Sequence, residues 1–127
     1  TAAHKAIFAN LEELLDWQRR FMMQMEAKIT KAARNDVKES YKVGIAELFI
    51  ENEKGFGNVY ESFCPNQQLA NETVTQELTN LQKKANILEP NTVLRAYLIK
   101  PTQRICKYPL LIRELIKQSA PEAPDQD

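Results

Sequence analysis

Apolar residues return at three- and four-residue steps along most of this chain, and alternation of the kind that marks a strand is nowhere clear. Over residues 4–34, Ile7, Leu11, Leu14, Phe21, Met25 and Ile29, widened by Leu15 and Met22, predict one long amphipathic helix. Glu12, Glu13, Asp16, Arg19 and Arg20 fall on its outer side. The pattern fades in a polar stretch, where a loop is expected near Asn35 and Asp36. Ser40 suits the N-cap of a second helix over 40–51, whose apolar face holds Val43, Ala46, Phe49 and Ile50. The Gly55-Phe56-Gly57 run should interrupt or bend the chain, and a helix of about two turns then sets Phe56, Val59, Tyr60 and Phe63 on one side. Pro65 lacks an amide proton, so it either starts the next helix or kinks a continuous one, and residues 66–85 carry the pattern on with Leu69, Val74, Leu78 and Leu81. Pro90 pushes Glu89 out of helical geometry. The last helix, over 91–118, holds Pro101 and Pro109 and is expected to bend. Residues 119–127 are acidic and Pro-rich and read as a tail or linker.

The chain has 127 residues, 43% of them hydrophobic, which suits one packed domain and is too short for two. Seventeen basic residues balance 17 acidic ones, and a neutral total argues against a nucleic-acid partner. The balance hides an asymmetry. Between Arg95 and Gln118 there are six bases and one acid, Glu114, and the remainder is acidic. Cys64 and Cys106 show neither metal-ligand nor disulfide-framework spacing and read as two buried free thiols in a reducing compartment. There is no apolar run of transmembrane length and no signal-peptide pattern at residue 1, so a cytoplasmic protein is expected.

At 100° per residue the last helix divides into two faces. Leu94, Leu98, Ile105, Tyr108, Ile112 and Ile116 gather on one, the candidate core side. Lys100, Gln103, Lys107, Leu110, Glu114 and Lys117 form a polar, mostly basic stripe on the other. Such a stripe is ordinarily a solvated face. Here Leu110 is an apolar group within it that gains from a partner, and Gln103 is a neutral donor and acceptor between two lysines. Long lysine stems suit an acidic protein surface through charge-assisted hydrogen bonds and faster encounter.

The string LRAYLIKPTQRICKYPLLIRELIK resembles the third conserved region of Dbl-homology domains, the exchange factors for Rho-family GTPases. IAELFIENEKGFGNVYESFCPNQQLA is similar to the second conserved region, and IFANLEELLDWQRRFMMQME to the helix before it. IFANLEELLDWQRRF together with LIKPTQRICKYPLL looks closest to fungal polarity-establishment exchange factors. The resemblance implies an all-α, elongated helical bundle over 1–118. It also implies that the family's first conserved region and its last long helix lie outside this chain, so exchange by the piece alone is expected to be weak or absent.

What the resemblance implies for function is residue by residue. Gln103 and Lys107 match the Gln and Lys that contact the GTPase switch regions, and Lys100, Leu110 and Glu114 are lesser candidates on the same stripe. The implied partner is a Rho-family small GTPase, bound best without nucleotide, from which GDP release is promoted. No enzyme chemistry, cofactor or metal is expected: there is no His-rich metal pattern, nucleophile elbow or G-x-x-x-x-G-K-[ST] loop, so the chain should not itself bind or hydrolyse GTP. Membrane contact is expected only indirectly, by recruitment to the cell cortex. Arg104 reads as pairing with an acid on a neighbouring helix, Tyr108 and Pro109 as structural, and Trp17 with Met22, Met23 and Met25 as packing between helices. His4 has no partner that the sequence names. The rival reading is a helical scaffold without exchange activity.

Overall fold

In the computed structural model of the chain, which describes residues 1–34 and 44–118, helices take up most of the described residues. In chain order they are α1 (Ala2–Phe8), α2 (Leu11–Arg34), α3 (Ile45–Glu51), α4 (Glu53–Phe63), α5 (Gln67–Gln76), α6 (Leu78–Lys84), α7 (Pro90–Leu98) and α8 (Lys100–Gln118). No strand occurs among the described residues, in keeping with the all-α expectation. No helix there is long and apolar enough to cross a membrane. The expected loop at Asn35 and Asp36, the Ser40 cap, Val43 and the tail over 119–127 fall outside the described residues.

The segment expected as one helix over 4–34 is two. Ala9, at φ 47°, ends α1, and a positive φ at a residue with a Cβ costs about 1–3 kcal/mol unless its surroundings hold it. Asn10 supplies the hold: its Nδ2 donates to the Val59 carbonyl of α4 at 2.9 Å. Periodicity misses the break because the step from Ile7 to Leu11 carries the apolar repeat across it. The two sides serve different clusters. Ile7 packs with Ala70, Val74 and Leu98, whereas Leu14 packs with Val59, Tyr60 and Phe63; Leu11 lies against both.

The glycine run does not interrupt the chain either, because Gly55 and Gly57 both lie inside α4. The turn falls at Asn52, which ends α3 and begins α4. Its Nδ2 donates to the Leu48 carbonyl at 2.8 Å and to Gln24 Oε1 of α2 at 2.9 Å. Val59, Tyr60 and Phe63 are buried on the inner side of α4 as expected, with Phe56 half-buried. Trp17, Phe21, Phe49, Phe56 and Tyr108 form an aromatic cluster joining α2, α3, α4 and α8, with Phe49 and Tyr108 ring centres 5.1 Å apart. Burying each large ring contributes roughly 1.5–3 kcal/mol.

Trp17 therefore packs between helices, but Met22 and Met23 do not: they are 53% and 64% exposed, while Met25 is half-buried. Leu15, Ile29 and Ile50 are likewise exposed, and the inner face of α3 centres on Leu48 instead. The helix expected over 66–85 divides at Glu77, with Ala70, Thr73 and Val74 buried and Leu69 exposed. Pro65 sits in the first turn of the 3₁₀ helix Cys64–Asn66, which joins α4 to α5, so it marks a change of helix type along the chain. His4 has a partner after all, its ring lying 4.9 Å from that of Phe8.

Glu89 leaves helical geometry, at φ −129° and ψ 73°, and Pro90 opens α7. The helix expected over 91–118 is two, parted at Ile99. Pro101 explains the break: in the first turn of α8 its missing N–H costs nothing, whereas deep in a continuous helix it would leave a carbonyl unpaired. Pro109 is retained inside α8.

Candidate functional site

α8 is held by one face. Tyr108 is buried in the aromatic cluster, Ile105 packs against the Leu14–Val59–Phe63 cluster, and Ile112 and Ile116 are half-buried. The opposite side is open: Lys100, Gln103, Lys107, Leu110, Glu114 and Lys117 are all exposed, Leu110 by 61%. The stripe read from 100° spacing is thus a solvent-facing surface. Lys100, Gln103 and Lys107 also border a groove between α8 and α2, whose apolar side is Leu11, Leu14 and Leu15. Leu110 and Glu114 continue the same face beyond the groove.

These side chains differ in how they are held. Lys100 Nζ lies 4.5 Å from the centre of the Tyr97 ring, a cation–π contact worth about 0.5–1 kcal/mol at an exposed site. Glu114 is engaged along its own helix, 3.6 Å from Lys117 Nζ and accepting from Gln118 Nε2 at 3.2 Å. Gln103 is fixed through its backbone, its N–H donating to the Ile99 carbonyl across the α7–α8 junction at 3.0 Å. Two further apolar groups, Tyr97 at 62% and Leu111 at 57% exposed, extend the open surface beyond what the stripe predicts.

Arg104 does not pair with an acid among the described residues. Its Nε donates to the Tyr108 hydroxyl at 3.1 Å, and its guanidinium carbon lies 5.3 Å from the Tyr108 ring centre. The same hydroxyl accepts from Gln18 Nε2 of α2 at 2.5 Å, and Gln18 Oε1 accepts from the Tyr60 hydroxyl of α4 at 3.0 Å. A polar chain, Tyr60–Gln18–Tyr108–Arg104, therefore links α4, α2 and α8, and Tyr60, Gln18 and Arg104 line the groove that Lys100, Gln103 and Lys107 border. Burial first, and then the nearby Tyr108 and Cys64, push the Tyr60 phenol up to about 12, against an opposing pull from Arg104. Gln18 and Tyr60 were missed as functional neighbours. The signal was there: 11, 14, 18, 21, 25 is an unbroken three–four series, and Gln18 is its single polar member.

Of the two cysteines expected to be buried, only Cys64 is partly so, with Thr102 Oγ1 3.5 Å from its sulfur; Cys106 is exposed on α8 beside Lys107. Both are free. Among the described residues no group of His, Cys, Asp and Glu is arranged to hold a metal.

Comparison with known proteins points in one direction. A family model described as "RhoGEF domain" matches residues 1–127. Over 112 residues the chain is 45% identical to the Rho guanine nucleotide exchange factor scd1 of Schizosaccharomyces pombe, covering 88% of the chain and 12% of that protein. Over 117 residues it is 32% identical to cell division control protein 24 of Saccharomyces cerevisiae, covering 90% of the chain and 13% of that protein. Over 132 residues it is 30% identical to human Rho guanine nucleotide exchange factor 9, covering 95% of the chain and 23% of that protein. The chain thus spans a small part of the length of these relatives. No solved structure matches it.

Proposed function

The chain belongs to the RhoGEF, or Dbl-homology, domain family, and on that premise we propose that it serves as the GTPase-gripping part of an exchange factor for a Rho-family small GTPase. The single observation that carries the reading is the placement of Gln103 and Lys107. They lie four residues apart on the open side of α8, which is anchored from behind by Tyr108. On an α-helix that spacing sets two side chains side by side. Lys100 and Leu110 extend the contact in both directions, and Glu114 lies at its far end.

Exchange on this reading needs no bond making or breaking by the chain and no cofactor. The chain binds the empty GTPase better than the nucleotide-loaded one, and a difference in affinity between two states is all that shifts an equilibrium. By linkage the chain weakens nucleotide binding by the same factor that nucleotide weakens binding of the chain. The Gln103 amide and Lys107 ammonium take part by contacting the switch segments and favouring their displaced form, with GDP leaving as a result. Basic residues on α8 speed encounter with an acidic surface. In the cell the chain works as part of a longer protein recruited from the cytoplasm to the cortex.

The test is release of a fluorescent GDP analogue from a panel of Rho-family GTPases, measured with the chain alone and with longer proteins that contain it. It is paired with binding to nucleotide-free and GTP-loaded forms. Preference for the empty form with accelerated release supports the reading. Equal binding to both forms, with no acceleration in any context, makes the chain a helical scaffold instead.

A further inference from the structure

We infer that Gln18 is a positioning residue for exchange, setting the rotational register of α8, and so the aim of Gln103 and Lys107, through its hydrogen bond to Tyr108. This rests on the stripe reading above and names a residue outside the stripe.

α8 is held mainly by apolar packing on its inner side, and apolar packing is non-directional. The rings of Phe49 and Phe56 lie 5.1 and 5.7 Å from that of Tyr108 and restrain its depth better than its twist. A hydrogen bond does restrain twist, since it weakens steeply away from linearity. Gln18 Nε2 makes one to the Tyr108 hydroxyl at 2.5 Å. Its amide is itself oriented, because Oε1 accepts from the Tyr60 hydroxyl at 3.0 Å. With Oε1 taken by the Tyr60 hydroxyl, Nε2 is the end of the amide that faces Tyr108. The Tyr108 oxygen then accepts a second N–H, from Arg104 at 3.1 Å, and draws in the residue next to Gln103.

The lever is short. A helix with its side chains is about 10–12 Å across, so a rotation of about 20° displaces surface atoms by roughly 2 Å. A displacement of that size takes a hydrogen bond from about 2.9 Å to beyond its working range, so the contacts of Gln103 and Lys107 weaken steeply. Gln18 thus acts on the partner without touching it.

The experiment uses the smallest protein containing this chain that releases fluorescent GDP from a Rho-family GTPase, unaltered and as the variants Gln18→Met, Gln18→Glu, Tyr108→Phe, Gln18→Met with Tyr108→Phe, Gln103→Ala and Lys107→Ala. Gln18→Met keeps the length and removes the amide. Gln18→Glu loses the amide donor but offers carboxylate oxygens that can accept from both the Tyr60 and the Tyr108 hydroxyls, so it is the conservative variant. Gln18→Met is expected to lower the maximal release rate about tenfold, the effect of about 1.4 kcal/mol of weakened contact, and Gln18→Glu to lower it less. A merely structural loss behaves differently: a partly unfolded population lowers the active concentration, raising the half-saturating concentration and leaving the maximal rate alone. The Gln18→Met, Tyr108→Phe double variant should be no worse than the more impaired single, since both cut the same link. The Arg104 side-chain N–H resonance should move in Gln18→Met, a readout independent of exchange. An unchanged maximal rate or an unmoved Arg104 resonance overturns the inference. If Gln103→Ala and Lys107→Ala leave release intact while Gln18→Met still moves Arg104, the stripe reading has failed and the mechanical link alone survives.

Discussion

The indole of Trp17 occupies the place beside Gly55 that any side chain would need: a Cβ built there falls 2.8 and 2.9 Å from Cε2 and Cζ2 and nearer still to Nε1. An exposed helical glycine replaced by alanine ordinarily gains about 0.4–1 kcal/mol through the unfolded chain. At Gly55 the collision is with a rigid ring stacked on Phe21 and edge-on to Phe56, so the ring cannot swing aside at little cost. Gly55→Ala is expected to destabilise by about 1–3 kcal/mol, as overpacking does. Gly57→Ala is the control. There a Cβ meets only Glu61 Oε1 at 3.7 Å, an ordinary contact, and the usual gain should appear. Chemical denaturation of the two variants reads the opposite signs directly, and equal effects refute the packing argument.

Gln103 and Lys107 should separate function from stability. Both are exposed on α8, and substitutions on such surfaces usually change stability by within about 0.5 kcal/mol. The double alanine variant is therefore expected to melt almost where the unaltered protein does. Losing two contacts made to the displaced GTPase, at about 1.5 kcal/mol each for bonds involving charged groups, should slow catalysed GDP release roughly 100-fold. Release traces and melting curves from the same preparation check both halves. A large fall in melting temperature would place the two side chains in the fold rather than at the partner.

The helices of the core and the open face of α8 were legible because burial imposes a three–four repeat on any helix, and the repeat is written in residue types. The breaks were not legible for the same reason. Ala9, Asn52 and Ile99 part helices whose apolar repeat runs on across the gap, and two of these turns are fixed by Asn10 and Asn52 side chains reaching distant partners. Glycine suggested a bend at Gly55, but glycine also marks close approach, and Trp17 is what approaches. The polar chain along the groove was half legible: Gln18 stood out as the polar member of an apolar series, yet only the fold supplies Tyr60 and Tyr108 as its partners.

Tyr60 makes stability depend on alkaline pH. Its phenol titrates near the ordinary 10.0 in the unfolded chain and at about 12 in the folded one. Between those values the folded state holds the proton that the unfolded state has lost, so stability must fall as pH rises. The contribution is whole below pH 10, declines by at most about 1.4 kcal/mol per pH unit, and is gone above pH 12. Tyr60→Phe cannot lose a proton and should show a shallower decline over that window, although it is less stable at neutral pH for want of the bond to Gln18. Denaturant midpoints of the two proteins at several pH values test this. Parallel curves would mean that the phenol is not held protonated by its burial.

Cys106 offers a footprint of the proposed interface without altering a single contact. It is exposed on α8, three residues after Gln103 and one before Lys107, whereas Cys64 is half-buried with Thr102 against its sulfur. A bulky thiol reagent should therefore modify Cys106 first and Cys64 slowly, since it reaches an exposed sulfur more readily than a half-buried one. With a nucleotide-free Rho-family GTPase bound, modification of Cys106 should slow sharply while that of Cys64 keeps its rate. Excess GDP should restore the original Cys106 rate, because nucleotide and exchange factor compete through linkage. Conversely, a chain already modified at Cys106 should bind the empty GTPase more weakly, the adduct standing beside the two side chains that make the contact. Mass spectrometry of peptides at timed intervals follows both cysteines at once. Unchanged Cys106 labelling in a complex shown by gel filtration to be intact would move the partner to another face of the bundle.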